Sequence, residues 1–242
     1  MPKTITFSFR LLTLVIFILL SSLSFATHNR AGEITYRQLS NLEIEATITT
    51  YTKTTGASIN ADRDTVQICW GDGTCEWLAR VNGPDNDNNG FPDGELLAND
   101  TKRNRYTMTH VYNGPAHYVI SMQDPNRNGG ILNVNSPNSE AIEFFIQTTV
   151  TLFPGQFQGF NNSPILLQPP IDVGCIGKKF IHNPNAFEID GDSLSYELIV
   201  PLRDVNTQVP NFNFPDQINP GCLLYTSPSP RDLSTSRMPS SA

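Results

Sequence analysis

The chain has 242 residues, with 16 Lys and Arg against 23 Asp and Glu, a formal net charge of −7 and four Cys. An acidic balance argues against nucleic acid or an anionic membrane surface as partner and suits a soluble exterior protein or a cation binder. The length holds one complete sandwich-sized domain and part of another.

Lys3 and Arg10 flank the start of an apolar run, Leu11 to Leu20, interrupted at Thr13, and Ser24-Phe25-Ala26 ends on a small residue suited to a signal peptidase. This predicts a secretory signal over residues 1–26. An apolar core of about ten residues is half of what a membrane span needs. From Cys222 onward the chain turns Ser/Pro-rich without an apolar period, and residues 222–242 resemble translated sequencing-adapter sequence. The span 27–221 carries twelve basic and twenty-two acidic residues, net −10.

Within that span the dominant period is two. Leu42-Glu43-Ile44-Glu45-Ala46-Thr47-Ile48 alternates apolar and polar without a break, which predicts a half-buried strand. Less regular alternation marks Glu33–Tyr36, Thr65–Trp70, Glu76–Val81, Tyr106–Tyr112, His117–Met122 and Glu140–Val150. Seven short strands separated by Gly, Asn, Asp and Pro, with no convincing amphipathic helix, predict an all-β antiparallel sandwich. Cys69 and Cys75 flank the turn Gly71-Asp72-Gly73, so strands folding back there would bring the thiols together as a disulfide. Zinc is the weaker reading, because no pair of His residues stands at ligand spacing near them. Cys175 is left without an assigned partner.

Trp70-Gly71-Asp72-Gly73-Thr74, followed by Thr109-His110-Val111-Tyr112, Gly114 and Tyr118, resembles the paired signature of the PKD domain. The resemblance covers residues 31–152 and implies an immunoglobulin-like sandwich of cell-surface type, spanning residues 27–153. Residue by residue, Val66, Ile68 and Trp70 share one face and place an indole between the sheets. Gly71 and Gly73 permit positive φ, and Asp72 and Thr74 can bond the turn backbone. Tyr112 and Tyr118 bracket the turn at Asn113-Gly114-Pro115, and His110 reads as a structural hydrogen-bonding residue.

The segment Asn82–Lys102 is longer than the family's usual connection. Within it Asp85, Asp87, Asn89 and Asp93 take positions one, three, five and nine of a calcium-loop spacing, with Gly90 at six. Position twelve is Leu96, and the nearest carboxylate is Glu95. Two readings stand: a weak calcium site, or a solvated Asn/Asp/Gly loop.

Residues 154–221 read as a partial second unit. Asp190-Gly191-Asp192-Ser193-Leu194-Ser195-Tyr196 resembles the opening of bacterial cadherin-like repeats, which implies a truncated second sandwich. There Asp190 and Asp192 would share calcium with Glu188 or Asn183, or would simply turn the chain. The start Thr27-His28-Asn29-Arg30-Ala31-Gly32-Glu33-Ile34-Thr35-Tyr36 is similar to the openings of secreted, gliding-motility-associated surface proteins of Bacteroidota, exported by type IX secretion. That resemblance implies a secreted or outer-membrane-associated, non-catalytic module for adhesion, with a cell-surface protein or polysaccharide as partner. His110, His117 and His182 stand in no nucleophile elbow or His-Glu-x-x-His helix, so no enzyme is expected. The alternative is an accessory binding part of a secreted hydrolase.

Overall fold

The unbroken alternation after Leu42 becomes the first half of a long strand. In chain order the strands are β1 Asn29–Gln38, β2 Glu43–Lys53, β3 Thr65–Cys69, β4 Cys75–Ala79, β5 Glu95–Leu96, β6 Thr101–Val111, β7 His117–Asp124 and β8 Phe144–Thr151. Four short ones follow: β9 Ile165–Leu166, β10 Ala186–Phe187, β11 Leu202–Asp204 and β12 Thr207–Gln208. The computed structural model describes residues 29–55, 62–125, 127–153, 159–170, 183–214 and 217. The expected signal, the tail, Cys175, His182 and Cys222 lie outside the described residues.

The first eight strands form two four-stranded antiparallel sheets, ordered β1-β2-β6-β5 and β4-β3-β7-β8. Their inner faces meet in one core, so the chain carries the all-β, Ig-like sandwich that the period predicts. Ile44, Ala46 and Ile48 of β2 are fully covered and share that core with Ile68, Trp70, Leu78, Ile120 and Val150. Fully burying one of the large aliphatic side chains contributes roughly 1.5–3 kcal/mol relative to leaving it exposed. Turn chemistry fixes the β3–β4 hairpin. Gly71 adopts φ +81°, and a Cβ there would stand 2.6 Å from the Val119 carbonyl oxygen, so only glycine lets the turn sit against β7.

All seven alternating segments become strands, most with shifted bounds, and one short strand is added. β6 begins at Thr101 rather than Tyr106, and the two-residue β5 pairs with it through Glu95↔Arg103 and Leu96↔Lys102. Lys102, Arg103 and Arg105 hide this extension, because the side chain buried between them is the polar Asn104. Glu140 and Ala141 lie in a one-turn 3₁₀ helix, Ser139–Ala141, and β8 starts only at Phe144.

After Phe153 the described residues build two narrow ribbons, β9 with β10 and β11 with β12, where the sequence suggests a second sandwich. Strands of two or three residues cannot bury a face of their own, and these lean on the first unit instead. Residues 161–163 run along the free edge of β1. The Tyr36 and Gln38 amides donate to Ser163 Oγ and Asn162 Oδ1 at 2.7 and 3.0 Å, and the Ser163 amide donates to the Tyr36 carbonyl at 3.0 Å. That covers an edge that would otherwise template foreign strands. At the other sheet Val134, Ile142 and Val209 form a small separate core, and Arg203 pairs with Glu143 at 2.9 Å.

Candidate metal-binding loop and the signature cluster

The loop after β4 starts from a buried cation. Period two puts Arg80 in phase with Leu78, so its side chain points into the protein, where it is fully covered. Its guanidinium donates to both Asp62 carboxylate oxygens at 3.0 Å, to Asp64 at 2.7 Å, to Asn104 Oδ1 at 2.8 Å and to the Pro92 carbonyl. Lys102 Nζ adds a 2.7 Å bond to Asp62. Burial alone would raise the Asp62 carboxyl, but the bonds from Arg80 and Lys102 outweigh it and hold it below its ordinary value. Sequence reading missed this network. Its signal was an Arg on the apolar phase of a strand with two acids, Asp62 and Asp64, upstream.

Because Arg80 grips Pro92, the inserted segment is pinned at its base. Asn82 Oδ1 accepts the Arg105 amide at 2.7 Å and Asn82 Nδ2 donates to the Arg103 carbonyl at 2.9 Å. The Gly94 amide donates to Asn82 O at 2.9 Å and the Asp93 amide to Pro84 O at 2.7 Å. Gly83 and Gly94 cross so closely that a Cβ on Gly83 would lie 2.0 Å from the Gly94 carbonyl oxygen.

Above this neck the loop folds around its own acids. Asp85 accepts the Asn89 and Gly90 amides at 3.2 and 3.0 Å, Asp87 accepts the Asn89 amide at 3.1 Å, and Asp93 accepts the Asn86 amide at 2.6 Å. One carboxylate oxygen from each of Asp85, Asp87 and Asp93 lies within 4.8 Å of the others, at the surface. Three like charges at that spacing repel one another and favour a shared cation. Hard oxygens suit calcium, which takes six to eight, so backbone carbonyls and water would complete the shell. Asn89 behaves differently from a free ligand: its Oδ1 accepts the Phe91 amide at 2.8 Å and its Nδ2 donates to Asp64 and Asp87. Glu95, the nearest acid to position twelve, pairs with Arg103.

Among the described residues no other group of acids, His and Cys gathers as closely. Asp190 is engaged by the Asn162 amide at 2.6 Å and by Asn162 Nδ2, and thereby ties its segment to β1. The Asp192 amide donates to Glu188 Oε2 at 2.7 Å, and Asn183 Oδ1 accepts the Asn185 amide at 2.9 Å.

The signature residues do come together, at the β3–β4 turn. Trp70, fully buried, donates from Nε1 to Glu76 Oε2 at 2.7 Å and stacks on His110 with ring centroids 4.4 Å apart. His110 Nε2 meets Asp72 Oδ2 at 2.8 Å. The Tyr112 hydroxyl donates to the Trp70 carbonyl at 3.0 Å, Tyr112 stacks on Tyr118 at 4.0 Å, and the Tyr118 hydroxyl closes its turn on Gly114 O at 2.7 Å. Burial raises the Tyr112 hydroxyl pKa, with the Asp72 charge adding to it. Asp72 is held low, because hydrogen bonds from the Thr74 hydroxyl and amide and from His110 outweigh the upward push of burial. Gly73, at φ +93°, completes the reversal, and Cys69 and Cys75 are joined as a disulfide across it. The His110 ring, carried on β6, thus lies flat on the indole and meets Asp72 at its edge nitrogen, which makes it a brace between the two sheets.

Among the described residues no helix is long and apolar enough to cross a membrane. No family model, curated protein or solved structure matches the chain.

Proposed function

We propose that the chain is an exported, non-catalytic surface module of PKD type that presents loops for adhesion to a cell-surface protein or polysaccharide, with calcium stiffening the 85–93 loop. What supports this reading is the gathering of Asp85, Asp87 and Asp93 oxygens within 4.8 Å on a loop whose neck is clamped to the sandwich. A pinned loop gives a contact surface at low ordering cost, and a cation removes its internal repulsion.

Calorimetry with calcium chloride tests it. For a dissociation constant of about 1 mM, 10 mM calcium adds about 1.4 kcal/mol, a rise of roughly 3–6 °C in Tm for a domain of this size. Asp87→Ala removes most of that rise while leaving the calcium-free Tm within about 1 °C, because Asp87 is exposed. A Tm indifferent to calcium, or an equal response in Asp87→Ala, defeats the metal part of the reading.

A further inference from the structure

Four Asn-Gly pairs occur in the chain, at residues 82–83, 89–90, 113–114 and 128–129, and the fold treats them unequally. Such a pair carries a latent intramolecular reaction. With no Cβ on the glycine, its backbone nitrogen can approach the preceding side-chain amide carbon and close a five-membered ring. Closure needs two freedoms: the asparagine side chain must swing onto its own backbone, and the glycine N–H must not be held by an acceptor.

Three of the pairs lack them. Asn82 is bonded at both ends of its side-chain amide, accepting from the Arg105 amide and donating to the Arg103 carbonyl, and Gly83 is pressed against Gly94. Asn89 accepts the Phe91 amide and donates to Asp64 and Asp87, while the Gly90 N–H is held by Asp85. Asn128 is half-buried, its backbone N–H donating to the Asn29 carbonyl and its carbonyl accepting the Ser139 hydroxyl.

Asn113-Gly114 is placed otherwise. It lies in the turn between β6 and β7, and Asn113 is exposed. Among the described residues neither the Asn113 side chain nor the Gly114 N–H meets a hydrogen-bond partner. A Cβ on Gly114 would find no atom within 4 Å, so the ring has room to form. The Tyr118 hydroxyl donates to the Gly114 carbonyl at 2.7 Å, which leaves the attacking nitrogen untouched.

We infer that Asn113 is a site of spontaneous covalent modification, losing its side-chain amide through a cyclic imide with Gly114. The Gly114 nitrogen gives up its proton and attacks Asn113 Cγ, the Cγ–Nδ2 bond breaks, and ammonia leaves carrying that proton. Water then opens the imide at either carbonyl, leaving aspartate or isoaspartate at position 113. Isoaspartate adds a carbon to the main chain, which draws the Gly114 carbonyl away from the Tyr118 hydroxyl beside the Tyr112 stack.

Peptide mapping by mass spectrometry tests this on the full chain, aged in mildly alkaline buffer at physiological temperature, with isoaspartyl methyltransferase as the probe for isoaspartate. In the folded protein position 113 is expected to convert at least about tenfold faster than positions 82 and 89, which react only through local opening, with position 128 between them. In concentrated urea the four pairs should converge to within about threefold, because the fold alone separates them. Gly114→Ala, whose Cβ enters open space, should slow conversion about tenfold and leave Tm within about 1 °C. Asn113→Gln, which cannot close a five-membered ring, should remove the modified product at that position. The inference is overturned if Asn82, Asn89 or Asn128 converts as fast as Asn113 in the folded chain, or if Gly114→Ala converts at the wild-type rate.

Discussion

Arg80 concentrates more of the architecture in one side chain than any residue of the signature motif. It is a fully covered cation whose partners come from three stretches: Asp62 and Asp64 before β3, the Pro92 carbonyl on the inserted loop, and Asn104 on β6. Asn104 in turn donates to Thr52 Oγ1 at 3.0 Å, so the network extends to the end of β2 in the other sheet. Removing the buried guanidinium takes the Arg80 donor from the Pro92 carbonyl and Asn104 Oδ1 and leaves Asp62, part-exposed, with Lys102 as its remaining cation, a cost of about 2–3 kcal/mol. Arg80→Met, close in length but without donors, should therefore lower the urea-unfolding free energy by that amount. Arg80→Lys should recover less than half of it, since one ammonium cannot reproduce the planar fork that holds Asp62 by both oxygens. A loss below about 1 kcal/mol in Arg80→Met would show that the fold tolerates an open neck. Gly71 acts by absence: its missing Cβ leaves room for the β7 backbone.

At the scale of elements, the β3–β4 hairpin is the weak margin of its sheet. β4 pairs only with β3 within that sheet, from Thr65↔Ala79 to Cys69↔Cys75, and its Trp77 is 64% exposed. The Cys69–Cys75 bond compensates by closing a loop of sequence separation six, a constraint on the unfolded chain of roughly 2 kcal/mol. A Cys69→Ser/Cys75→Ser double variant should lose about that much stability. It should also show faster amide exchange at Glu76 and Trp77, with little change in β2. Equal acceleration across both sheets would instead mean global unfolding. This pairing was legible because the turn is local: two cysteines flank a turn whose residues announce it. Period two likewise exposed β2 and the other long strands. It failed at β5 and the start of β6, where a buried Asn104 takes the place of an apolar residue, and at Arg80, whose partners are distant in sequence. The acidic loop divided the same way. Spacing brought out Asp85, Asp87 and Asp93, but the commitments of Asn89 to Asp64 and of Glu95 to Arg103 depend on strands meeting in space. Asp190 looked like a ligand, yet its role in clamping Asn162 needs the edge of β1, which no local pattern describes.

The molecule as a whole carries an excess of acids, and three of them give its stability a predictable shape with pH. Asp62 and Asp72 are held below their ordinary values in the folded state by Arg80 with Lys102 and by Thr74 with His110 respectively. A carboxyl whose folded pKa is depressed stabilises the fold above its unfolded pKa, near 3.9, and that stability is lost as pH falls through the folded value. Glu33 has the opposite sign: burial raises its carboxyl, against a lowering contribution from Arg105, so the cost of its charge is relieved as pH drops toward its folded value. Tm should therefore hold or rise slightly from pH 7 to about pH 5 and fall steeply below about pH 4. The acid limb reports one event at two places, because protonating Asp62 loosens the grip of Arg80 on the loop neck while protonating Asp72 frees His110 beneath Trp70. Asp62→Asn should lower Tm at pH 7 and flatten the acid limb, bringing the two proteins closer together at pH 2.5. If the gap between wild type and Asp62→Asn stays constant from pH 7 to pH 2.5, in calorimetric scans at fixed ionic strength, then Asp62 gains nothing from its charge and the Arg80 network holds by packing alone.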